Sequence, residues 1–336
     1  MRVRGSTRCW AVAIFGPICT LGLACSSDSP GPEAAVEPAV AVVVEGLDRP
    51  TQISPGPDGL LLVAQLAGGE NDATGEIVAV DVAAGTRRVV ANELDKPTGV
   101  LWDEGVLWVM VRQGLLRFDW TGSADMAGEP EVILADLPFN GRSEGTLTAI
   151  DGGRFLYATT GSLAGGSAVA SSGTLWAFDP TDNSSVAVAV GLKNAYAHSL
   201  FDDGTVAITE IGDSGTNPPV EEINVVDLGD DVAPDFGWPE CPGDDDCPGV
   251  AGPLTVLPVA STPTGLAAVD DDLYVALFVT GQLVRVDRSD WVAGNAPVEP
   301  VEVMAGLRGP HTVLAQPDGS LWISEHLADR IISIRP

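Results

Sequence analysis

Short apolar, β-rich runs between polar turns recur along most of this chain, and stripes at helical spacing are hard to find. Each set of runs is entered through an acidic or glycine turn: PDG at 57–59, DEG at 103–105, DGG at 151–153, DDG at 202–204, DDD at 270–272 and PDG at 317–319. The turns lie 46, 48, 51, 68 and 47 residues apart. After each comes an apolar run such as LLLVAQ from Leu60, VLWVMV from Val106 or SLWISE from Ser320. A second run follows and closes on Asp81, Asp119, Asp179, Asp227 or Asp287, while the sixth ends at Ile334. A third run, from Val89, Val132, Val186, Thr255 and Val301, leads into the next unit. With the strand before each turn, a unit holds four strands, here A to D. The last unit lacks its own strand D, and the segment Val42–Leu47 supplies it from the other end of the chain. This pattern predicts an all-β fold over 39–336, a six-bladed β-propeller with the N-terminal strand completing the last blade. Closure of that kind removes the exposed sheet edge.

Composition sharpens the picture. The 336 residues are 45% hydrophobic, enough for a core, and 39 Gly with 25 Pro suit many turns rather than a helix bundle. Lys and Arg number 17 against 47 Asp and Glu, and a net charge of −30 excludes a nucleic-acid partner.

Residues 1–25 read as an export signal, with Arg2, Arg4 and Arg8 before an apolar run from Trp10 to Ala24 that is short for a membrane span. Its end, Leu21-Gly22-Leu23-Ala24-Cys25, is similar to a bacterial lipobox, so both lipidation at Cys25 and plain cleavage stay open. Residues 26–38 then form a polar, Pro-rich tether. The expectation is an exported, cell-envelope or periplasmic protein that meets the membrane only through a lipid anchor. Beyond the signal and Cys25, the cysteines are Cys241 and Cys247, which suit a small loop disulfide better than a metal site.

Topology fixes where function can sit. The D–A and B–C loops of antiparallel blades share one face, and the acidic A–B turns mark the other. Those turn carboxylates read as Asx-type turn residues rather than ligands. Five D–A loops carry a cation: Arg49, Lys96, Arg142, Lys193 and Arg308. The chain's two lysines are both among them, in a protein otherwise poor in cations. Such a mouth would attract a small anion; the plain alternative is exposed polar loop residues. Glu144, Asn194, Tyr196, His198 and His311 lie on the same loops, and Gln65, Glu210, Asp213, Glu325 and His326 at the ends of B strands. His311 is read as the better general base, at a loop crest beside Pro310, and His198 as a possible core residue. The B–C loop DSGTNPPVEEIN offers carbonyls and carboxylates suited to Ca2+, or simply a solvated strand start.

The stretch 190–240 contains GLKNAYA, DDG, TEIGD, EEIN and DFGWPEC in series, and there the chain resembles the glucose/sorbosone dehydrogenase family of soluble quinoproteins. The resemblance extends more loosely from about residue 42 to 336. It implies a six-bladed propeller that holds pyrroloquinoline quinone (PQQ), a tricarboxylate, over the channel mouth with Ca2+. Carried over by position, Lys193 stands for the family Arg, Asn194 is kept, and Tyr196 replaces a Gln. Pro218, Pro219 and Glu222 fall at the Ca2+ loop. The family's catalytic His is expected where this chain reads NGRSEG, so Arg142, Ser143 and Glu144 take its place. The base would then be Glu144 or His311. The leading expectation is oxidation of a sugar or polyol. The alternatives are a non-catalytic propeller that binds a ligand or a protein partner, and a gluconolactonase-type hydrolase with a metal held by converging carboxylates.

Overall fold

The computed structural model describes residues 38–123, 126–141, 144–212, 220–241, 247–292 and 297–336. The signal and lipobox within 1–25, most of the tether, Arg142, Pro218 and Pro219 fall outside them.

Six four-stranded antiparallel sheets follow one another along the chain. Blade one is Pro50–Pro55, Leu61–Gln65, Gly75–Asp81 and Thr86–Leu94, in order from A to D. Blade two is Gly99–Asp103, Val106–Val111, Gly114–Asp119 and Glu131–Leu134. Blade three is Thr148–Ala149, Phe155–Thr159, Thr174–Asp179 and Ser184–Ala189, with a two-stranded ribbon in its B–C loop. Blade four is Ala195–Leu200, Thr205–Glu210, Glu221–Asp227 and Thr255–Leu257. Blade five is Pro263–Val269, Asp272–Leu277, Gln282–Asp287 and Val301–Met304. Blade six takes Pro310–Ala315, Leu321–Glu325 and Arg330–Ile334 from the end of the chain and Val40–Glu45 from its start. The register runs from Val40 opposite Ile334 to Glu45 opposite Arg330, and Leu47 N donates to Asp329 O at 2.9 Å. This is the closure expected from the missing sixth strand D.

The B strands are buried on both faces because each is flanked by A and C and sandwiched between neighbouring blades. Leu61–Gln65 and Phe155–Thr159 have no exposed residue. Apolar side chains fill the gaps between blades: Leu62, Ile77, Val100, Leu107 and Phe118 lie between blades one and two. Trp108, Phe155 and Phe178 meet at centroid distances of 5.0 to 5.6 Å between blades two and three. Such aromatic groups bury large areas and favour tilted contacts.

Buried polar side chains on the A strands stitch the ring at its centre. Gln52 Oε1 accepts from Val100 N at 2.7 Å and Leu147 N at 3.0 Å, and its Nε2 donates to Leu147 O at 2.7 Å. One amide thus ties three blades, with both Oε1 and Nε2 hydrogen-bonded, as expected of a buried amide. Thr312 Oγ1 and Ser324 Oγ both donate to Thr51 O, joining blade six to blade one.

On the far face, the acidic turns behave as read. Asp318 Oδ1 accepts from Ser320 N and Oγ, and Asp203 Oδ1 from Thr205 N. Strand-C ends repeat the device: Asp179 holds Thr181 and Asp287 holds Ser289 through N–H and hydroxyl alike. The long connection from strand C to strand D of blade four carries Phe236, Trp238 and the cysteines. It is pinned by a bridge of Val190 with Asp235 and by a Cys241–Cys247 disulfide with Cα atoms 6.4 Å apart.

Candidate functional site at the channel mouth

Two cavities lie along the centre of the ring. The far-face one, about 260 Å³, is lined by A-strand residues of several blades, among them Gln52, Thr148, His198, Gly265 and Thr312, and reaches the exposed strand ends at Pro55 and Ala149. The outer one, about 160 Å³, opens among the D–A and B–C loops and is lined by residues including Glu70, Lys96, Thr98, Asn194, Tyr196 and His326. The outer cavity is the mouth that the topology points to.

Its walls are built by one repeated device. The last residue of strand B reaches across to the backbone of the D–A loop. Gln65 Oε1 accepts from Asp48 N at 3.0 Å, Glu325 Oε1 from Arg308 N at 2.6 Å, and Glu210 Oε1 from Lys193 N at 2.5 Å and Asn194 N at 3.0 Å. These three side chains, expected as candidates for chemistry, are therefore loop clamps. Glu325 spends its second oxygen on Arg330 Nε at 2.5 Å. Glu210 does not: its Oε2 is buried without a partner, and burial together with the Glu222 charge pushes its carboxyl up to about 8. Glu222 is also buried, directly opposite Glu210 in the sheet register.

Lys96 is the cation that enters the mouth. Its side chain is 12% exposed, lines the cavity and pairs with Glu70 Oε2 at 3.2 Å. Of the other cations expected in a shared funnel, Lys193 has its Nζ 5.9 Å from the centre of the Trp238 ring, while Arg49 and Arg308 are exposed and Arg49 donates to Gly68 O. None of these three lines the cavity, so the funnel narrows to Lys96 with a rim of positive groups around it. A further cation was not foreseen. Arg112, in the short B–C turn of blade two, donates to Glu70 O at 2.9 Å and Asn71 Oδ1 at 3.0 Å and pairs with Asp95. It fixes the loop that carries Glu70 over the cavity. The sequence signal was its place in a B–C turn, which shares the mouth face with the D–A loops.

Asn194 Oδ1 and Thr98 Oγ1 are buried without a partner, and both residues line the cavity. Glu144 lies beside the cavity rather than in its wall. It is 1% exposed, and neither carboxylate oxygen has a hydrogen bond of good geometry. Burial pushes its carboxyl up to about 7, although the backbone N–H groups of Glu144 and Gln113 and the charges of Lys96 and Arg112 pull the other way. The following Gly145 holds φ +96°, and a Cβ there would stand 2.0 Å from Tyr196 O, so only glycine lets this loop press against blade four.

The histidines separate into distinct environments. His198 lies in strand A of blade four, lines the far-face cavity and bonds Thr148 Oγ1 at 2.7 Å; burial drops its pKa to about 3. It is a core residue. His311 is not at a loop crest, because strand A of blade six already begins at Pro310, paired with Glu325. The ring is buried, with Nε2 3.1 Å from Tyr196 Oη and Nδ1 enclosed without a partner. Burial and His326 hold its pKa well below the ordinary value. His326 stacks on His311 with centroids 5.6 Å apart, and Phe278 closes an edge against both.

Among the described residues no group of three His, Cys, Asp or Glu side chains comes together as a metal-binding cluster.

No protein-family model matches the chain, and no curated protein sequence matches it. Solved structures do. The PQQ-bound aldose sugar dehydrogenase of Streptomyces coelicolor matches with a TM-score of 0.73 at 18% identity, over 89% of this chain and 98% of that one. A putative oxidoreductase (glucose dehydrogenase) of Thermus thermophilus matches with a TM-score of 0.70 at 19% identity, over 88% and 99%. A calcium structure of a Trichoderma reesei enzyme of carbohydrate-active family AA12 gives 0.68 at 14% identity, over 92% and 98%. At these identities the likeness is one of architecture: the chain has the six-bladed propeller fold of the soluble PQQ sugar dehydrogenases.

Proposed function

We propose that this chain is an exported, quinone-dependent dehydrogenase of sugars or polyols, anchored to the cell envelope by a lipid on Cys25, and that its mouth holds PQQ with Ca2+. The observation that carries the reading is the composition of the outer cavity. In a chain of net charge −30, a largely buried Lys96 meets unpartnered polar atoms of Asn194 and Thr98 there. A buried polar atom without a partner is costly, so this wall suits a ligand with carboxylates and hydrogen-bonding groups. The exposed rim cations Arg49 and Arg308, with Lys193 beside Trp238, would draw such an anion in; Arg142 is proposed to join them. Glu222 and Glu210 supply hard oxygens beside loop 213–219, a donor set that suits Ca2+, with the carbonyls of Pro218 and Pro219 proposed as further ligands. Bound PQQ would supply the hydride acceptor. The chain's part is to hold the anion on Lys96, keep the Tyr196–Phe278 wall apolar, and take a proton from the substrate hydroxyl. Glu144 and His311 were the residues expected for that last role. Glu144 is 1% exposed and stands beside the cavity rather than in its wall, whereas His311 lines the cavity but has Nε2 engaged by Tyr196 Oη and Nδ1 buried.

The test is direct. Purified protein is mixed with PQQ and Ca2+, its visible spectrum is recorded, and dye reduction is followed with a panel of aldoses and polyols. A perturbed quinone spectrum with substrate-dependent reduction supports the reading. Quinone uptake with no reduction would leave the non-catalytic binding propeller.

A further inference from the structure

Resting on the dehydrogenase reading above, we propose that His326 is the general base of the mouth, in place of the two residues that the sequence offered.

The first argument concerns what each nitrogen is doing. A backbone carbonyl can only accept, so the 3.2 Å contact of His326 Nδ1 with Pro50 O places the ring proton on Nδ1. That leaves Nε2 with its lone pair. His326 lines the outer cavity, and its Nε2 has no hydrogen-bond partner and is not among the fully enclosed polar atoms. It is therefore a proton acceptor with a fixed tautomer and an open side, the arrangement that general-base catalysis needs. His311, 5.6 Å away, lines the same cavity, but its Nε2 is engaged by Tyr196 Oη and its Nδ1 is buried, and Glu144 is 1% exposed and outside the cavity wall.

The second argument concerns rigidity. His326 opens the B–C turn of blade six, directly after Glu325, the clamp on the Arg308 loop. His326 N donates to Gly309 O at 3.0 Å and Leu327 N to Arg308 O at 3.1 Å. At the far end of the turn, Asp329 Oδ1 accepts from Arg49 N at 2.8 Å. The ring is then held between His311 and Phe278. A base fixed by backbone bonds and packing keeps its geometry without cost during reaction. Burial lowers its pKa from the ordinary value; of the groups facing it, the Pro50 carbonyl, Glu70 and Asp329 favour protonation and Arg49 opposes it.

In the step, Nε2 would take the proton of a sugar or polyol hydroxyl and be left as imidazolium, while the O–H and C–H bonds break and a carbonyl forms. An ortho-quinone, when bound, would supply the two-electron acceptor for the hydride and be reduced to the quinol level.

Brief treatment of the full chain with diethyl pyrocarbonate, without cofactor, followed by peptide mass spectrometry, reads nitrogen accessibility independently of activity. Label is expected on His326, with His198 and His311 spared; label on His311, or none on His326, overturns the proposal. His326→Asn keeps an N–H for Pro50 O and removes Nε2. Given PQQ and Ca2+, it is expected to bind the quinone within about threefold of wild type and to lose at least roughly a hundredfold in turnover. A variant as active as wild type overturns the proposal and leaves the dehydrogenase reading standing. A wild-type protein that takes up quinone and reduces no dye with any substrate overturns that reading and the role of His326 with it.

Discussion

The two faces of the ring are made by the same repeat yet treat carboxylates in opposite ways. On the far face Asp179, Asp203, Asp287 and Asp318 lie at strand ends, open to water. Hydrogen bonds from Thr181, Arg288, Ser289 and Ser320, in that order, hold their carboxyls below the ordinary range. At the mouth Glu144 and Glu210 are enclosed and pushed up to about 7 and about 8. The far face uses its acids to close turns, so every oxygen has a local donor or water. The mouth uses its acids to brace loops around a hollow, and leaves oxygens without donors. Unsatisfied polar groups that also line a hollow, as those of Asn194 and Thr98 do, mark where something else is meant to bind.

The largest expected effect concerns the frame that keeps the faces apart. Removing residues 38–45 strips blade six of its outer strand and uncovers the cluster of Ile53, Val78 and Ile331 on which Val44 packs. Loss of Val44 burial and of the ladder bonds should cost roughly 3 kcal/mol or more, read as a lower Tm. A truncated protein that melts like wild type would show that the ring closes without this strand.

Next comes the mouth itself. Glu144 has its folded pKa, about 7, above its ordinary 4.5, so the folded state binds the proton more tightly. The stabilisation from that proton is fully present below about pH 4.5 and is lost as pH rises through 7. Glu144→Gln removes the penalty, and should stabilise the protein at pH 8 by up to about 3 kcal/mol while matching wild type near pH 4. Equal unfolding curves at both pH values would mean that the carboxylate is solvated.

A smaller effect is expected from the loop that carries Trp238. Replacing Cys241 and Cys247 by Ser opens a short loop and should cost about 2 kcal/mol, since the chain entropy removed grows only slowly with loop length. Two alkylatable thiols in the wild-type protein without reductant would remove the bond from the account.

The smallest effect belongs to the far face. Asp318→Asn should change stability by less than about 0.5 kcal/mol, because the turn lies in water and the amide oxygen still accepts from Ser320. A loss as large as that of a buried group would erase the contrast between the faces.

The architecture was legible because it rests on what sequence carries directly: recurring turns, short β-rich apolar runs and a missing sixth strand D at one end matched by a spare at the other. The Asx turns and the Cys241–Cys247 pairing were legible for the same reason, being local. The mouth was legible only as a location. Whether His311 stands at a crest or one step inside a strand depends on where the strand begins, and the pairing of Pro310 with Glu325 decides that. The clamps were within reach. Gln65, Glu210 and Glu325 occupy equivalent positions in LLVAQ, VAITE and LWISE, and aligning the repeats shows an acceptor at the end of strand B in blades one, four and six. Lys96 could not be told from Lys193 in advance, since the turn of one towards Glu70 and of the other towards Trp238 is set by loops far apart in sequence.

The central claim, that the mouth binds a carboxylate-bearing quinone through Lys96, is tested most directly by calorimetric titration of wild type and Lys96→Ala with PQQ in the presence of Ca2+. Loss of one charged hydrogen bond, worth about 1.5–3 kcal/mol, should weaken binding at least roughly tenfold in the variant while wild type saturates at one equivalent. Equal affinity of the two proteins, or no heat of binding in wild type, would contradict it.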